Sequence, residues 1–179
     1  GPAASLTLRY SSLEPSADGR FGVGWTSDLT QHLDLASASL IVWTTADGAH
    51  APFALDGSTW EGLPTRFETF THQAGPGTWT VTQPDGSALV FSGTAGDLVA
   101  IEDIHGQALT IAWGSSSATV TDASGRTSSV TINAANDRIT GVTDSAGRSW
   151  SFGYSGTGGS SLLESITDPE GAETTIAYD

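Results

Sequence analysis

The sequence lacks several residue types, and each absence excludes a class of chemistry. None of its 179 residues is cysteine, which excludes disulfide bonds, thiolate nucleophiles and zinc sites built on cysteine. Lysine is also absent, so the lysine-containing phosphate-binding loop is excluded. No apolar run approaches the ~20 residues that a membrane-spanning helix needs. We therefore expect no membrane span, and the sequence gives no sign of a cofactor or a metal centre.

The charge and the composition narrow the class of protein further. All basic residues are arginine, and the formal net charge is -14. A surface this acidic repels nucleic acid phosphates and anionic membranes, so we expect neither as a partner. Hydrophobic residues make up only 37% of the chain, and 22 residues are glycine. This mixture favours short strands and tight turns, and it predicts an all-β fold.

A repeat of 19 to 24 residues fills the second half of the chain. Each copy has an aspartate with glycine three positions later, and an apolar residue two positions before the aspartate and eight after it. The turn pairs are Asp103 and Gly106, Asp122 and Gly125, Asp144 and Gly147, and Asp168 and Gly171. At plus ten stand Trp113, Ile132, Tyr154 and Tyr178. Self-similarity at a fixed period predicts a stack of identical structural units.

Each copy has the pattern of a β-hairpin. The aspartate can accept backbone N–H bonds and the glycine can adopt positive φ, so the two residues bracket a turn. The following strand alternates, which places the plus-eight and plus-ten residues in a buried repeat core. One hairpin is marginal alone, so the units are predicted to pair into a continuous twisted sheet. A row of turn carboxylates could also bind Ca²⁺ weakly, although the spacing matches neither an EF-hand nor the nonapeptide calcium repeat.

Three segments are predicted along the chain. Gly1-Pro2 resembles the remnant of a cleaved tag, and methionine is absent, so we expect a piece of a longer protein. Residues 3–96 form a lead-in of β-hairpins, and residues 97–179 form the four repeats. Within the lead-in, residues 26–36 are the nearest candidate for a helix, because Leu29 and Leu33 are four apart. The sequence from Phe21 to Trp25 (FGVGW) reads as a bend where backbone passes beneath a large aromatic side chain.

These features together resemble the RHS/YD-repeat family, which includes bacterial polymorphic toxin shells, teneurins and the shell subunits of Tc toxins. The residues "ITDPEGAETTIAYD" are similar to a complete YD unit, ending in Tyr178-Asp179. The lead-in resembles the segment that precedes such repeats, with Tyr10-Ser11-Ser12, then FGVGW, then Asp-Gly hairpins. Only the last unit ends in a literal Tyr-Asp, and four units are too few to close a family shell.

The resemblance implies a function and partners. It implies a non-catalytic scaffold segment of a secreted or cell-surface protein, whose full shell encloses a C-terminal toxin domain. The partners would then be the remainder of the shell and the enclosed domain. The family's autoproteolysis uses an Asp-Pro-x-Gly setting that Asp168 to Gly171 echoes, but these residues also fit an ordinary repeat turn. Open sheet edges predict concentration-dependent self-association.

A search for chemistry that ignores the resemblance predicts a protein that is not an enzyme. There is no Gly-x-Ser-x-Gly elbow, and the four histidines are scattered. The alternative is a carbohydrate- or ligand-binding β-module on the cell surface or attached to a secreted enzyme. It rests on six tryptophans, which could stack on sugar rings, and Trp43 and Trp60 are the likeliest exposed examples. The competing interpretation is that these tryptophans pack in the core.

Overall fold

The computed structural model describes residues 1–12, 18–35, 37–75, 77–156 and 160–179. In this part of the chain there are 19 β-strands and no α-helix, which confirms the all-β prediction. No described segment forms a helix with the length and apolar character needed to cross a membrane.

Four short strands at the N-terminal end form two small sheets. Their bounds are β1 (Leu8–Tyr10), β2 (Asp18–Gly19), β3 (Gly22–Val23) and β4 (Trp25–Ser27). Strand β1 pairs antiparallel with β4, and β2 pairs antiparallel with β3.

The remaining strands form one antiparallel sheet of 15 strands in chain order, from β5 to β19. Their bounds are β5 (His32–Asp34), β6 (Leu40–Thr44), β7 (His50–Asp56), β8 (Thr59–Gly62), β9 (Thr69–Gln73), β10 (Thr78–Thr82), β11 (Ala88–Ser92), β12 (Leu98–Glu102), β13 (Ala108–Trp113), β14 (Ser117–Thr121), β15 (Thr127–Asn133), β16 (Arg138–Thr143), β17 (Ser149–Ser155), β18 (Leu162–Thr167) and β19 (Glu173–Thr175). The sheet does not close into a barrel.

The sheet crosses residue 96 without a break, because β11 pairs with β12 in the same way as its neighbours pair. The lead-in also uses the turn of the repeats. Residues 45–49 and 83–87 each close with two backbone hydrogen bonds in the pattern of the later turns, with Gly48 and Gly86 at positive φ. The lead-in and the repeats are therefore one structural unit.

The helix expected within residues 26–36 is absent from residues 26–35, and residue 36 lies outside the described residues. Strand β5 occupies the middle of this segment, where His32 and Asp34 are exposed and Leu33 is buried. This alternation has the period of a strand, and Leu33 pairs with Trp43 of the next strand. Pairing with β6 therefore overrides a weak helical pattern.

The first strand of the sheet curls back toward the turn between β11 and β12. The Leu33 N–H donates to the carbonyl of Gly96 at 2.8 Å, and His32 forms an isolated antiparallel bridge with Asp97. This contact leaves β19 as the edge strand at the far end of the sheet.

Candidate functional site: the repeat turns and the N-terminal brace

The four repeat turns share one hydrogen-bonding scheme. In each, Oδ1 of the aspartate accepts the backbone N–H groups of the residues two and four positions later, at 2.8–3.0 Å. The glycine N–H donates to the aspartate carbonyl, with glycine φ between 73° and 85°. A Cβ added at these four glycines would meet nothing within 4 Å, so backbone conformation alone requires glycine there. The aspartates and glycines are Asp103, Gly106, Asp122, Gly125, Asp144, Gly147, Asp168 and Gly171.

Two of these aspartates also carry an arginine partner. Oδ2 of Asp122 accepts hydrogen bonds from Arg126, and Oδ2 of Asp144 accepts the same pair from Arg148. The backbone N–H of the arginine holds the pKa of each aspartate below its usual range. Four N–H donors saturate each carboxylate, so these groups are poor general bases. Among the described residues, no three histidine or acidic side chains are grouped to hold a metal ion.

The aromatic plus-ten residues fix each hairpin to the strand before it. The indole N–H of Trp113 donates to the carbonyl of Leu98, and the hydroxyls of Tyr154 and Tyr178 donate to the carbonyls of Ile139 and Leu163. Donor and acceptor are 15 residues apart in every case. Burial raises the pKa of both tyrosines.

Each of these carbonyls lies beside a β-bulge. The pairing register shifts by one residue just after Leu98, Ile139 and Leu163, in strands β12, β16 and β18. A bulge disrupts the local ladder and increases twist. We infer that the bulge turns the preceding carbonyl toward the aromatic hydroxyl or indole. The side chain of Ile132, at plus ten of the second repeat, has no polar group and is held there by packing in the core.

A segment of the N-terminal region lies against the sheet at several distant points. We define residues 18–27, which contain β2, β3 and β4, as the brace. Arg20 bonds Asp97 at 3.2 Å and Asp137 at 3.0 Å, and its guanidinium carbon lies 4.2 Å from the centre of the Trp113 ring. The carbonyl of Arg20 also accepts the N–H of Ile139. One side chain thus connects three places on the repeat sheet.

The middle of the brace is the FGVGW sequence, and it is packed tightly. Phe21 is completely buried and meets Phe152 edge to face at 5.2 Å. Gly22 has φ of 92°, and a Cβ there would lie 2.7 Å from the carbonyl oxygen of Ser161. The Val23 N–H donates to that same oxygen at 3.2 Å. Gly22 therefore permits main-chain contact between the brace and the sheet.

The end of the brace contacts the last repeat. The indole N–H of Trp25 donates to the hydroxyl of Tyr178 at 2.9 Å, and Tyr178 in turn donates to Leu163. Tyr10 of β1 packs on both rings, at 5.3 Å from Trp25 and 5.5 Å from Tyr178. Residues 153 positions apart are joined here, which closes the brace over the hairpins.

The expectation that Trp43 is exposed is wrong, because only 3% of its surface is accessible. Trp43 lies on a core-facing position of β6, and the guanidinium of Arg66 lies 5.4 Å from its ring centre. Trp60 is half-buried and meets Phe70 and Trp79 edge to face. None of the six tryptophans, all of which lie in described residues, falls among the exposed large hydrophobic side chains. Trp43 is buried, and the other five tryptophans are half-buried.

The sequence marked FGVGW as unusual and predicted a bend beneath an aromatic side chain. The structure brings Tyr10 against Gly24, where an added Cβ would lie 2.9 Å from the ring. The partners on the repeats could not be inferred, because they lie more than 100 residues away along the chain. The bulges were also not predicted from the sequence. Each follows a residue 15 positions before an aromatic plus-ten residue, and that spacing could have located them.

Comparison with known families gives one partial match. A family model described as a domain of unknown function (DUF6531) matches residues 2–53, which include the brace and the first hairpin of the large sheet. No curated protein matches the chain.

Proposed function

We propose that this chain is a non-catalytic β-scaffold, a wall segment of a secreted or cell-surface shell of the RHS/YD-repeat kind that encloses a C-terminal toxin domain. The observation that carries the proposal is the uninterrupted sheet of 15 strands in chain order. Hairpins of similar design, joined edge to edge, extend one continuous surface.

The use made of polar side chains supports a scaffold. The carboxylate oxygens of the repeat aspartates accept hydrogen bonds from backbone N–H groups, as at Asp103, and also from a nearby arginine, as at Asp144. Asp168 serves its turn in the same way, through the N–H groups of Glu170 and Ala172. Its Oδ1 therefore has the same structural role as in the other three repeat turns. Cleavage at Asp168 is therefore not part of the proposal.

The brace supports a wall that keeps its curvature without a second layer of sheet. Arg20, Phe21 and Trp25 contact different repeat hairpins, so that separating those hairpins would break contacts with the brace.

The edge at β19 gives a test on the purified chain. The backbone of Ala172 and Ile176 hydrogen-bonds toward β18, through the Ala172 carbonyl and the Ile176 N–H. Backbone direction alternates along a strand, so the backbone N–H and C=O groups of the odd-numbered residues of β19 point away from β18. Thr175→Pro therefore removes an outward N–H while sparing the existing ladder. We expect the mass measured by light scattering to rise with concentration for the parent chain and to stay monomeric for the variant. A parent chain that is monomeric at every concentration would count against the proposal that β19 pairs with a further strand.

The sequence of the gene beyond this chain tests the shell proposal. We expect the reading frame beyond the codon for Asp179 to encode further Asp-x-x-Gly hairpins and then an unrelated domain. That domain should resist protease in the intact protein and be digested once the shell is unfolded. A linker to a hydrolase in place of repeats would refute the shell and favour the alternative of a binding module. Affinity electrophoresis against a polysaccharide panel would then be decisive, and half-buried Trp60 is the residue to substitute.

A further inference from the structure

A cavity of about 440 Å³ lies between the N-terminal segment and the repeat sheet. Leu6 and Leu8 line it from one side, and Val130, Val142, Phe152 and Ile166 line it from the other. Pockets that bind small molecules typically measure about 300–1,000 Å³ and are mostly apolar with a few polar groups. The cavity has both properties.

Apart from Ser5 of the N-terminal segment, the polar lining comes from the turn end of the hairpins. Ser128 lies at the start of β15, and Asp144 and Arg148 form the turn before β17. The Asp144 carboxylate is saturated, because Oδ1 accepts two backbone N–H groups and Oδ2 accepts two N–H groups of Arg148. It therefore offers nothing to a cationic ligand.

Arg148 retains donor capacity toward the cavity. Its Nε and one terminal nitrogen both bond the same oxygen of Asp144, and its guanidinium carbon lies 5.7 Å from the ring centre of Trp150, which also lines the cavity. The other terminal nitrogen keeps its two N–H groups for an acceptor, and a guanidinium binds carboxylate oxygens well. The polar end is thus a donor site at the margin of an apolar cavity.

We propose that this cavity binds an amphiphile of the fatty carboxylate class, with its chain between Leu6 and the repeat sheet and its carboxylate on Arg148. The net charge of -14 does not prevent this at physiological salt, where fields are screened within about 8 Å. This binding site is independent of the scaffold proposal and would exist whether or not further repeats follow.

The chain contains a matched control for the role of Arg148. Arg126 occupies the same place in the preceding repeat, bonds Asp122 in the same way, and has the same 63% side-chain exposure. It does not line the cavity. Arg126→Gln and Arg148→Gln each remove one charge and the hydrogen bonds to a turn aspartate, and only Arg148→Gln does so at the cavity. Asp122 is more buried than Asp144, so the melting temperatures of both variants are measured to report the effect on each turn.

The experiment is calorimetric titration with sodium decanoate and, separately, with 1-decanol, at 0.15 M salt. We expect decanoate to bind with a dissociation constant below about 1 mM. Arg148→Gln should weaken decanoate binding by about tenfold or more and leave decanol binding unchanged, since a hydrogen bond to a charged group is lost. Arg126→Gln should leave both unchanged. Val142→Phe, which fills the cavity, should weaken both ligands, and its melting temperature checks that it has folded.

Three results would overturn the proposal. One is the absence of decanoate binding to the parent chain. Another is an equal loss in the two arginine variants, which would indicate a general electrostatic effect. The third is unchanged binding in a folded Val142→Phe protein, which would place the ligand elsewhere.

Discussion

A substitution at Gly22 tests whether the brace contacts the sheet through its main chain. Gly22→Ala adds one methyl group to the brace, at a φ of 92°. That methyl carbon would lie 2.7 Å from the carbonyl oxygen of Ser161 and 3.3 Å from the nitrogen of Leu163. Both are main-chain atoms at the start of β18, so neither can rotate away as a side chain would.

Two costs combine in this variant. A left-handed conformation costs a non-glycine residue about 1–2 kcal/mol. Insertion of a methyl group into a packed site costs about 1–3 kcal/mol more. We therefore expect Gly22→Ala to lower the free energy of unfolding by about 2–5 kcal/mol, from a total that is typically about 5–15 kcal/mol.

Gly147→Ala is the matched control. Gly147 has φ of 82°, and an added Cβ there would meet nothing within 4 Å. This variant has the same backbone penalty and the same loss of freedom in the unfolded chain, without the contact. The difference between the two variants isolates the brace and should be about 1–3 kcal/mol, or roughly 2–12 °C in melting temperature for a chain of this size.

Urea unfolding followed by circular dichroism gives both free energies, provided that the slopes against urea agree. Equal destabilisation by Gly22→Ala and Gly147→Ala would refute the claim that the brace touches the sheet through its backbone. A larger effect at Gly147 would refute it equally.

Further predictions concern the turns and the plus-ten residues. Hydrogen bonds hold the pKa values of Asp103, Asp122 and Asp144 below their usual range, so the contribution of these turns to stability should be fully present above about pH 4 and be lost as pH drops through the lowered values, as acid titration of unfolding will measure. Asp144→Asn should reduce that acid loss, while a full acid response in the variant would contradict it. Tyr154→Phe should cost about 0.5–1.5 kcal/mol through its lost hydrogen bond, whereas Tyr10→Phe should cost less, and equal urea midpoints would refute this. Because burial raises the pKa of Tyr154, stability should also fall above about pH 10, and by less in Tyr154→Phe. Calcium or a chelator should leave the melting temperature unchanged, and a shift would show that the carboxylates bind metal.

Local patterns were sufficient wherever the interaction is local. The spacing of Asp122, Gly125 and the residues around them identifies a turn, because the carboxylate reaches only two to four residues along the chain. Alternation likewise identifies Val130 and Phe152 as core positions, and both are buried. The edge-to-edge order of the strands follows from short hairpin connections, which leave each strand little choice but its neighbour.

Exposure and long-range contact were beyond the sequence. Trp43 is followed by polar residues, Thr44 and Thr45, yet it is buried because Leu33 pairs across from it and Arg66 covers it. The segment around His32 has apolar spacing compatible with a helix, and only its pairing with β6 decides that it is a strand.

The sequence by itself determined the all-β class, the repeat turns and the faces of the repeat strands, since each depends on groups a few residues apart. Only the tertiary structure decided that FGVGW braces the hairpins, because Trp25 finds Tyr178 at a distance of 153 residues in the chain. The cavity beside Arg148 likewise exists only in the tertiary structure. Arg126 and Arg148 both directly follow the glycine of an Asp-x-x-Gly turn, and the position of the N-terminal segment over the sheet places only Arg148 at the cavity.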